Sequence, residues 1–385
     1  MNINLNDIDL LVVKIGTTLI SSPTEFLDRN KMRPIVEDLA HLRKRGVKII
    51  LVSSGAIGAG MAILGLKSRP KLLPQKQAAA AIGQSKLMHF YKELFNECDL
   101  HVAQVLLTRD DLDDRRKYLN ARNTLSTLLG YESIIPIINE NDTVAVDEIK
   151  FGDNDTLAAV VASKMEADLL VILSNVDGLY DCDPRKSKSP KLIEEVTDLS
   201  DDIRRICGAA SAETSVGGMK SKVEAARIAS FSGIAMILAN GERSHILKQI
   251  FENDVKCTYF RPKNEWVNGR KRWIAFGAAP HGNIKIDEGA CSALLRKCRS
   301  LLPSGIIDVS GKFARGDTIS IVDAGSREIA RGLTNYSADE ILQIKGSHTS
   351  KIAEILGHKD YDEVVHRDNL VVLEGNRPQS QEKEK

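Results

Sequence analysis

Cysteine is scarce in this chain of 385 residues: six in all, Cys98, Cys182, Cys207, Cys257, Cys291 and Cys298. None form a C-x-x-C pair and none join histidines at zinc spacing, which argues against a disulfide framework and against a structural zinc site. Reduced thiols in a cytoplasmic protein are expected instead. An excess of one charge is missing too. With 53 Lys+Arg against 52 Asp+Glu the net charge is +1, so nothing global points to nucleic acid or to an anionic membrane. No apolar run reaches the ~20 residues that span a bilayer. Met1–Asp9 carries acids and amides rather than a basic region ahead of an apolar core, so no signal peptide is expected. Two phosphate-binding fingerprints are also absent. No G-x-x-x-x-G-K-[ST] occurs; the nearest approach, Gly305 to Gly311-Lys312, has one residue too many and Phe313 in the hydroxyl position. No G-x-G-x-x-G follows a strand. If phosphate is bound, another device binds it.

What is present is an ordinary globular balance, 43% hydrophobic and 27% charged, over a length that suits two domains. Short, nearly all-apolar runs recur at Leu10–Val13, Lys48–Val52, His101–Leu107, Ile134–Ile138, Leu169–Leu173 and Ile234–Leu238. Runs without polar alternation suit strands covered on both faces, as in a parallel sheet. Helical patterns lie between them at Arg33–Arg45, Lys76–Phe95, Asn120–Leu129, Thr156–Met165 and Met219–Phe231. Strand–helix alternation predicts an α/β domain, a mainly parallel sheet layered between helices, over residues 1–260. A polar, basic, turn-rich segment at 261–272 reads as a linker. Beyond it, strand-like runs at Ile284–Ile286, Gly305–Val309, Thr318–Val322, Glu340–Gln343 and Leu370–Leu373 predict a small, mainly β domain over 273–375. Residues 376–385 read as a polar, disordered tail.

In parallel α/β sheets ligands sit at the carboxyl ends of strands, and four loops there carry related chemistry. In Val13-Lys14-Ile15-Gly16-Thr17-Thr18 a lysine closes an apolar strand ahead of a Gly/hydroxyl turn. Such a lysine beside bare backbone N–H groups suits phosphoryl oxygens, although a solvated strand-end lysine has the same sequence. In Ser53-Ser54-Gly55-Ala56-Ile57-Gly58-Ala59-Gly60 small residues open a helix, which serves either close anion approach or tight helix–sheet packing. The third loop joins Asn139-Glu140-Asn141-Asp142 to Gly152-Asp153-Asn154-Asp155-Thr156. Asn154 or Asp155 is expected to cap the helix that begins at Thr156. The remaining polar groups suit a polar zwitterion such as an amino acid, or simply a solvated acidic loop. The fourth joins Ser174-Asn175-Val176-Asp177-Gly178 to Val216-Gly217-Gly218-Met219-Lys220-Ser221-Lys222. Lysines in the first turn of a helix oppose its macrodipole, and a bound anion would reverse that penalty.

Taken together, VVKIGTTL, SSGAIGAG, PIINENDTVAVDEIKFGDND, SNVDGLYDCDP and VGGMKSK resemble the amino acid kinase superfamily over about residues 8–260. Within it the chain is similar to the branch that phosphorylates free glutamate. The C-terminal domain is similar to a PUA module over about 273–371, on RWIAFG, the pattern near Ala290–Leu295, and VSGKFARGDTISI. The resemblance implies an ATP- and Mg²⁺-dependent transfer of phosphate to the side-chain carboxylate of L-glutamate, the first step of proline biosynthesis. It implies that Lys14 contacts the transferring phosphoryl group, that Lys222 stabilises the developing charge, and that Asp155 orients both lysines. Ser54, Asp142 and Asn154 would bind glutamate. Lys14, Ser174, Asn175 and the run Val216, Gly217, Gly218, Met219, Lys220, Ser221 and Lys222 would hold ATP. Two departures bear on the nucleotide contacts: the family often has Thr-Asp at Ser174-Asn175 and Thr-Gly-Gly at Val216-Gly217-Gly218. Feedback inhibition by proline, a homo-oligomer and a downstream glutamyl-phosphate reductase are implied by the resemblance alone. A related kinase acting on N-acetylglutamate, aspartate, carbamate or UMP would share the nucleotide half. An RNA-binding role for the second domain is the alternative from another class. Its 13 basic and 13 acidic residues between Arg272 and Leu370 do not favour that role, and the basic run Arg261, Lys263, Arg270, Lys271 and Arg272 reads as solvated linker.

Overall fold

A computed structural model describes residues 4, 7–22, 26–145, 153–182, 189–197, 199, 218–262, 274–275, 279–297 and 299–373. Most of the expected linker, the expected tail, Val216 and Gly217 lie outside these residues. The chain divides into two compact units, Met1–Trp266 and Val267–Lys385.

Among the described residues the first unit holds the strands β1 Leu10–Ile15, β2 Lys48–Ser53, β3 His101–Leu107, β4 Ile134–Glu140, β5 Leu169–Ser174, β6 Leu179–Tyr180, β7 Leu192–Ile193, β8 Glu195–Val196, β9 Ala235–Asn240 and β10 Thr258–Phe260. Its helices among the described residues are α1 Thr17–Ile20, α2 Arg29–Lys44, α3 Ala56–Ile63, α4 Leu73–Asn96, α5 Arg109–Asp113, α6 Arg115–Leu129, α7 Asn154–Met165, α8 Met219–Phe231 and α9 Ile246–Phe251. Eight strands form one sheet in the order β3-β4-β2-β1-β5-β9-β10-β8. The run from β3 to β9 is parallel throughout, and only the β9–β10 pairing is antiparallel. The apolar runs become strands because both faces are covered: every residue of β1 and of β5 is buried.

The topology selects a crevice. The chain leaves β1 toward β2 on one side and returns to β5 on the other, so the strand order switches direction at β1. Ligand crevices form at such switch points, outside the carboxyl ends of the strands. Along β1, Leu11, Val13 and Ile15 join the core beneath α2 and α4. By strand alternation Val12 and Lys14 face the opposite side, where α7 packs against β1. Lys14 is thereby carried to the crevice on the α7 face.

Helices α3 and α4 pack with backbone nearly touching. A Cβ at Gly60 would lie 1.8 Å from the Ala79 carbonyl oxygen, and one at Gly83 would lie 1.8 Å from that of Ala56. At its far end α7 is tied down by Lys164. The buried ammonium donates to Leu112 O at 2.9 Å and lies 4.3 Å from the Tyr118 ring centroid. Burial pulls its pKa down to about 8, against the opposing charge of Asp113.

The second unit holds a five-stranded sheet in the order β12-β11-β13-β14-β15, where β11 is Gly282–Ile286, β12 Ile306–Gly311, β13 Thr318–Val322, β14 Glu328–Leu333 and β15 Leu370–Val372. Helices α10 Glu288–Lys297, α11 Ala338–Ile344 and α12 Ile352–Leu356 accompany it. Ile284, Ile286, Ile319, Ile321 and Ile329 form the centre of its core. One expected strand is corrected: Glu340–Gln343 belongs to α11. Ser337 caps that helix and Glu340 reaches back to the Ser337 N–H at 2.7 Å, a capping box that a strand reading overlooks.

Gly83→Ala is expected to force α3 and α4 apart and to lower stability by about 1–3 kcal/mol. A fall in the urea midpoint at unchanged m checks this; an unchanged midpoint would show that the contact tolerates a methyl group.

Candidate active site

Three charged side chains from three separate elements meet at the crevice. Lys14 comes from β1, Asp155 from the first turn of α7 and Lys222 from the first turn of α8. The Lys14 ammonium lies 2.5 Å from Asp155 Oδ1, and the Lys222 ammonium donates to Asp155 Oδ2 at 3.0 Å. Ser221 Oγ donates to the same Oδ2 at 2.8 Å. All three charged residues are buried: Lys14 is 7% exposed, Lys222 6% and Asp155 0%. Burial by itself would push the Asp155 carboxyl up. The charges of Lys14 and Lys222, with hydrogen bonds from Lys14 and Ser221, overcome that and hold it below its ordinary value.

The helix cap here differs from expectation. Asp153, not Asn154 or Asp155, caps α7: its carboxylate accepts from Thr156 N at 2.8 Å, and the helix begins at Asn154. The sequence Asp-Asn-Asp offers three residues of capping type in a row, so the cap could not be assigned by type alone. The consequence is chemical. With Asp153 on the backbone, Asn154 and Asp155 are both released to face the site. Burial pushes the Asp153 carboxyl up, the Thr156 N–H opposes this, and the negative charge of Asp155 adds to it.

Asn154 anchors a second cluster of side-chain amides and hydroxyls. Its Nδ2 lies 2.8 Å from Ser53 O, 2.9 Å from Ser54 Oγ and 2.9 Å from Asn139 Oδ1. Asn139 Nδ2 in turn donates to Gln84 Oε1 at 2.8 Å. Ser54 and Asn154 are therefore brought together, and their neighbour in sequence, Asp155, joins them to the lysine cluster. Asp142 is half-buried just beyond β4, its N–H donating to Glu140 O at 2.9 Å. Ser174 ends β5 beside β1, and its hydroxyl points to Asn175 Oδ1 at 3.4 Å. Asn175 is exposed. Gly218 caps the start of α8, Met219 and Lys220 follow it, and Ser221 Oγ also lies 2.8 Å from Gly218 O.

Residues outside the sequence-predicted set contribute as well. Asn139 and Gln84 support Asn154. Asp177 accepts from Arg243 Nη2 at 3.0 Å and from Asn240 Nδ2 at 3.3 Å, tying the loop after β5 to the loop after β9. Asn139 and Asp177 lie within loops the sequence had marked. Gln84 and Arg243 do not: a lone polar residue within helix α4, or a lone arginine in the turn after β9, gives no signal of its own. Among the described residues no group of three or more His, Cys, Asp or Glu side chains is placed to hold a metal ion.

The architecture and this geometry can be set beside known proteins. Residues 9–240 match the model of the amino acid kinase family. The chain belongs to the amino acid kinase family. Residues 282–356 match the PUA domain model. This amino acid kinase is 50% identical over 364 residues to glutamate 5-kinase of Thermoanaerobacter sp. (strain X514), covering 94% of this chain and 98% of that protein. It is 51% identical over the same length to glutamate 5-kinase of Caldanaerobacter subterraneus subsp. tengcongensis, with the same coverage. Among solved structures, a carbamate kinase from Giardia lamblia superposes with a TM-score of 0.47 at 17% identity, covering 66% of this chain and 99% of that one.

The buried ion pairs set a stability expectation. The Asp155 pKa is lowered in the folded state, so its contribution is present above the unfolded value of roughly 3.9 and is lost as pH falls through the folded value. Asp155→Asn leaves two buried ammonium groups without their shared carboxylate, and is expected to cost about 3–5 kcal/mol near neutral pH. Denaturant melts of both proteins across pH should show the gap narrowing on the acid side below roughly pH 4; a gap independent of pH would remove Asp155 as its source.

Proposed function

We infer that this protein transfers the γ-phosphoryl group of ATP to the side-chain carboxylate of free L-glutamate, yielding L-glutamyl 5-phosphate and ADP, the first step of proline biosynthesis. The single observation that carries the chemistry is the convergence of Lys14 and Lys222 on one buried carboxylate. Two curated relatives at 50% and 51% identity, matched over nearly their whole length, are named for this reaction.

The chemistry of the acceptor explains the composition of the site. A glutamate carboxylate is already ionised at pH 7, so no general base is required. The obstacle is repulsion between an anionic nucleophile and an anionic phosphate, and the remedy is positioning plus positive charge. A carboxylate oxygen attacks Pγ, the bond from Pγ to the β–γ bridging oxygen breaks, and its electron pair leaves with ADP. Lys14 contacts the transferring phosphoryl group in this reading. Lys222 opposes the charge that develops on the leaving oxygen. Asp155 holds both amines in place and keeps two like charges close together. Ser54, Asp142 and Asn154 take the glutamate. Lys14, Ser174, Asn175 and the stretch from Val216 through Gly217, Gly218, Met219, Lys220 and Ser221 to Lys222 take the nucleotide. Mg²⁺ fits as a companion of ATP, because both Asp155 oxygens are engaged by amines and Ser221, while phosphate and water oxygens complete the usual Mg²⁺ shell. When bound it neutralises charge between the β- and γ-phosphates.

The domain bounds proposed are 1–260 for the kinase domain, 261–272 for a linker, 273–375 for the PUA domain and 376–385 for a tail. The PUA domain is assigned a structural or regulatory role. Proline is proposed as a feedback inhibitor competing in the glutamate loop region, and the enzyme as a cytoplasmic homo-oligomer whose labile product passes to a glutamyl-phosphate reductase. No helix among the described residues is long and apolar enough to cross a membrane.

Two measurements check this reading. A coupled ADP-release assay over glutamate, N-acetylglutamate, aspartate, carbamate and UMP should respond to glutamate, and activity with another acceptor alone would replace the substrate. Lys222→Ala should lower kcat by ~10²-fold or more with little change in glutamate KM, and a kcat near wild type would remove Lys222 from the mechanism.

A further inference from the structure

Four groups around Asn154 form an amide chain whose direction is fixed by two backbone atoms. Glu140 N is a donor and lies 2.9 Å from Asn139 Oδ1. Ser53 O is an acceptor and lies 2.8 Å from Asn154 Nδ2. A backbone N–H cannot accept and a carbonyl cannot donate, so neither amide can be turned round without facing like against like. Asn139 must then present Nδ2 to Gln84, and Gln84 must answer with Oε1. The chain leaves two atoms over. Asn154 Oδ1 and Gln84 Nε2 are both buried with no hydrogen-bond partner among the described residues, and Gln84 is only 9% exposed. Buried polar groups are rarely left without partners unless something else supplies one.

We propose that Gln84 is a positioning residue for the acceptor substrate: through Asn139 it helps to hold the amide of Asn154 in place, so that Asn154 Oδ1 stays available as a hydrogen-bond acceptor for the ammonium group of an amino acid. This rests on the reading of glutamate as the substrate. Gln84 carries no charge and lies on α4, outside the sequence of all four marked loops. Its place beneath the site depends on the close α3–α4 packing at neighbouring Gly83, where a Cβ would lie 1.8 Å from Ala56 O. Without the Gln84 oxygen, the buried Asn139 Nδ2 is left without an acceptor, and only Glu140 N–H and Asn154 still hold the Asn139 amide. An Asn139 that shifts toward another acceptor withdraws Oδ1 from Asn154 Nδ2, and the Asn154 amide, kept from turning round by Ser53 O, is displaced instead. A displaced Asn154 no longer holds Oδ1 where the donor of the ligand meets it. A purely structural Gln84 would affect both substrates, whereas a positioning Gln84 affects the amino acid and spares ATP.

The test is steady-state kinetics on the full chain for wild type, Gln84→Met, Gln84→Leu, Asn139→Ala and the double variant Gln84→Met/Asn139→Ala. Both Gln84 variants are expected to raise glutamate KM roughly tenfold or more while ATP KM stays within about twofold. Because Gln84 acts through Asn139, the double variant should be no worse in glutamate KM than Asn139→Ala alone. Glutamate KM unchanged in both Gln84 variants overturns the proposal, as does multiplication of the two single effects in the double variant. Equal rises in the KM of both substrates overturn it too, by making Gln84 a packing residue. Should one Gln84 variant fail to fold, the other decides, since both replace the amide with an apolar side chain of similar size. Wild type that releases no ADP in response to glutamate would instead sink the substrate reading, an outcome distinct from any of these.

Discussion

The site is organised by one carboxylate held between two amines. Asp155 is fully buried, and a carboxylate removed from water is stable only if charge and hydrogen bonds compensate. Lys14, Lys222 and Ser221 provide that compensation from β1 and α8. The dependence runs in both directions. Two ammonium groups drawn to a single carboxylate repel one another, and Asp155 is what allows them to share the space. A set of charges that is costly to assemble is thus held together by side chains of the fold itself, which is the condition for electrostatic catalysis without reorganisation.

Helix α7 turns this arrangement into a two-sided device. Its first turn carries Asn154 and Asp155 in succession, and adjacent helical residues project in different directions. Asn154 points into the amide and hydroxyl cluster with Ser54 and Asn139, while Asp155 points to the lysines. Any motion of α7 would move both halves together. The helix is held at one end by the Asp153 cap and at the other by Lys164 bonded to Leu112 O. In the proposed reaction the amino acid and the phosphate are brought into line by neighbouring residues of a single rigid element, which suits an in-line transfer whose rate depends on alignment.

How much of this was legible in the sequence follows from what each residue does locally. The parallel sheet was readable because strands buried on both faces, as β1 and β5 are, must be apolar throughout; the bounds read for the edge strand His101–Leu107 and for the helix Met219–Phe231 agree at both ends with the elements observed. Lys14 and Lys222 were readable because each breaks a local rule, a charge at the end of a buried strand and a cation at a helix N-terminus. The cap of α7 was not, because Asp153, Asn154 and Asp155 are chemically interchangeable as caps and only the fold decides between them. Strand β14 was missed since Arg331 and Gly332 interrupt its apolar pattern, although Ile329 and Ala330 are fully buried. Gln84 was invisible because its importance lies in partners more than fifty residues away in sequence.

That the proposed reaction needs no general base has a further consequence for how the site must discriminate. An enzyme that deprotonates its nucleophile can select by reactivity, because only a correctly placed group is activated. A carboxylate acceptor is reactive as it arrives, and the acids of the cell are numerous. Selection then falls on the part of the substrate that does not react, and a site built to hydrogen-bond a particular group rejects analogues lacking it through the cost of its own unsatisfied atoms. A cluster whose polar groups are largely satisfied, with a small number of buried atoms left without partners, is suited to that task. In the proposed reaction the lysines supply rate to any anion that reaches them, and the uncharged amides determine which one does.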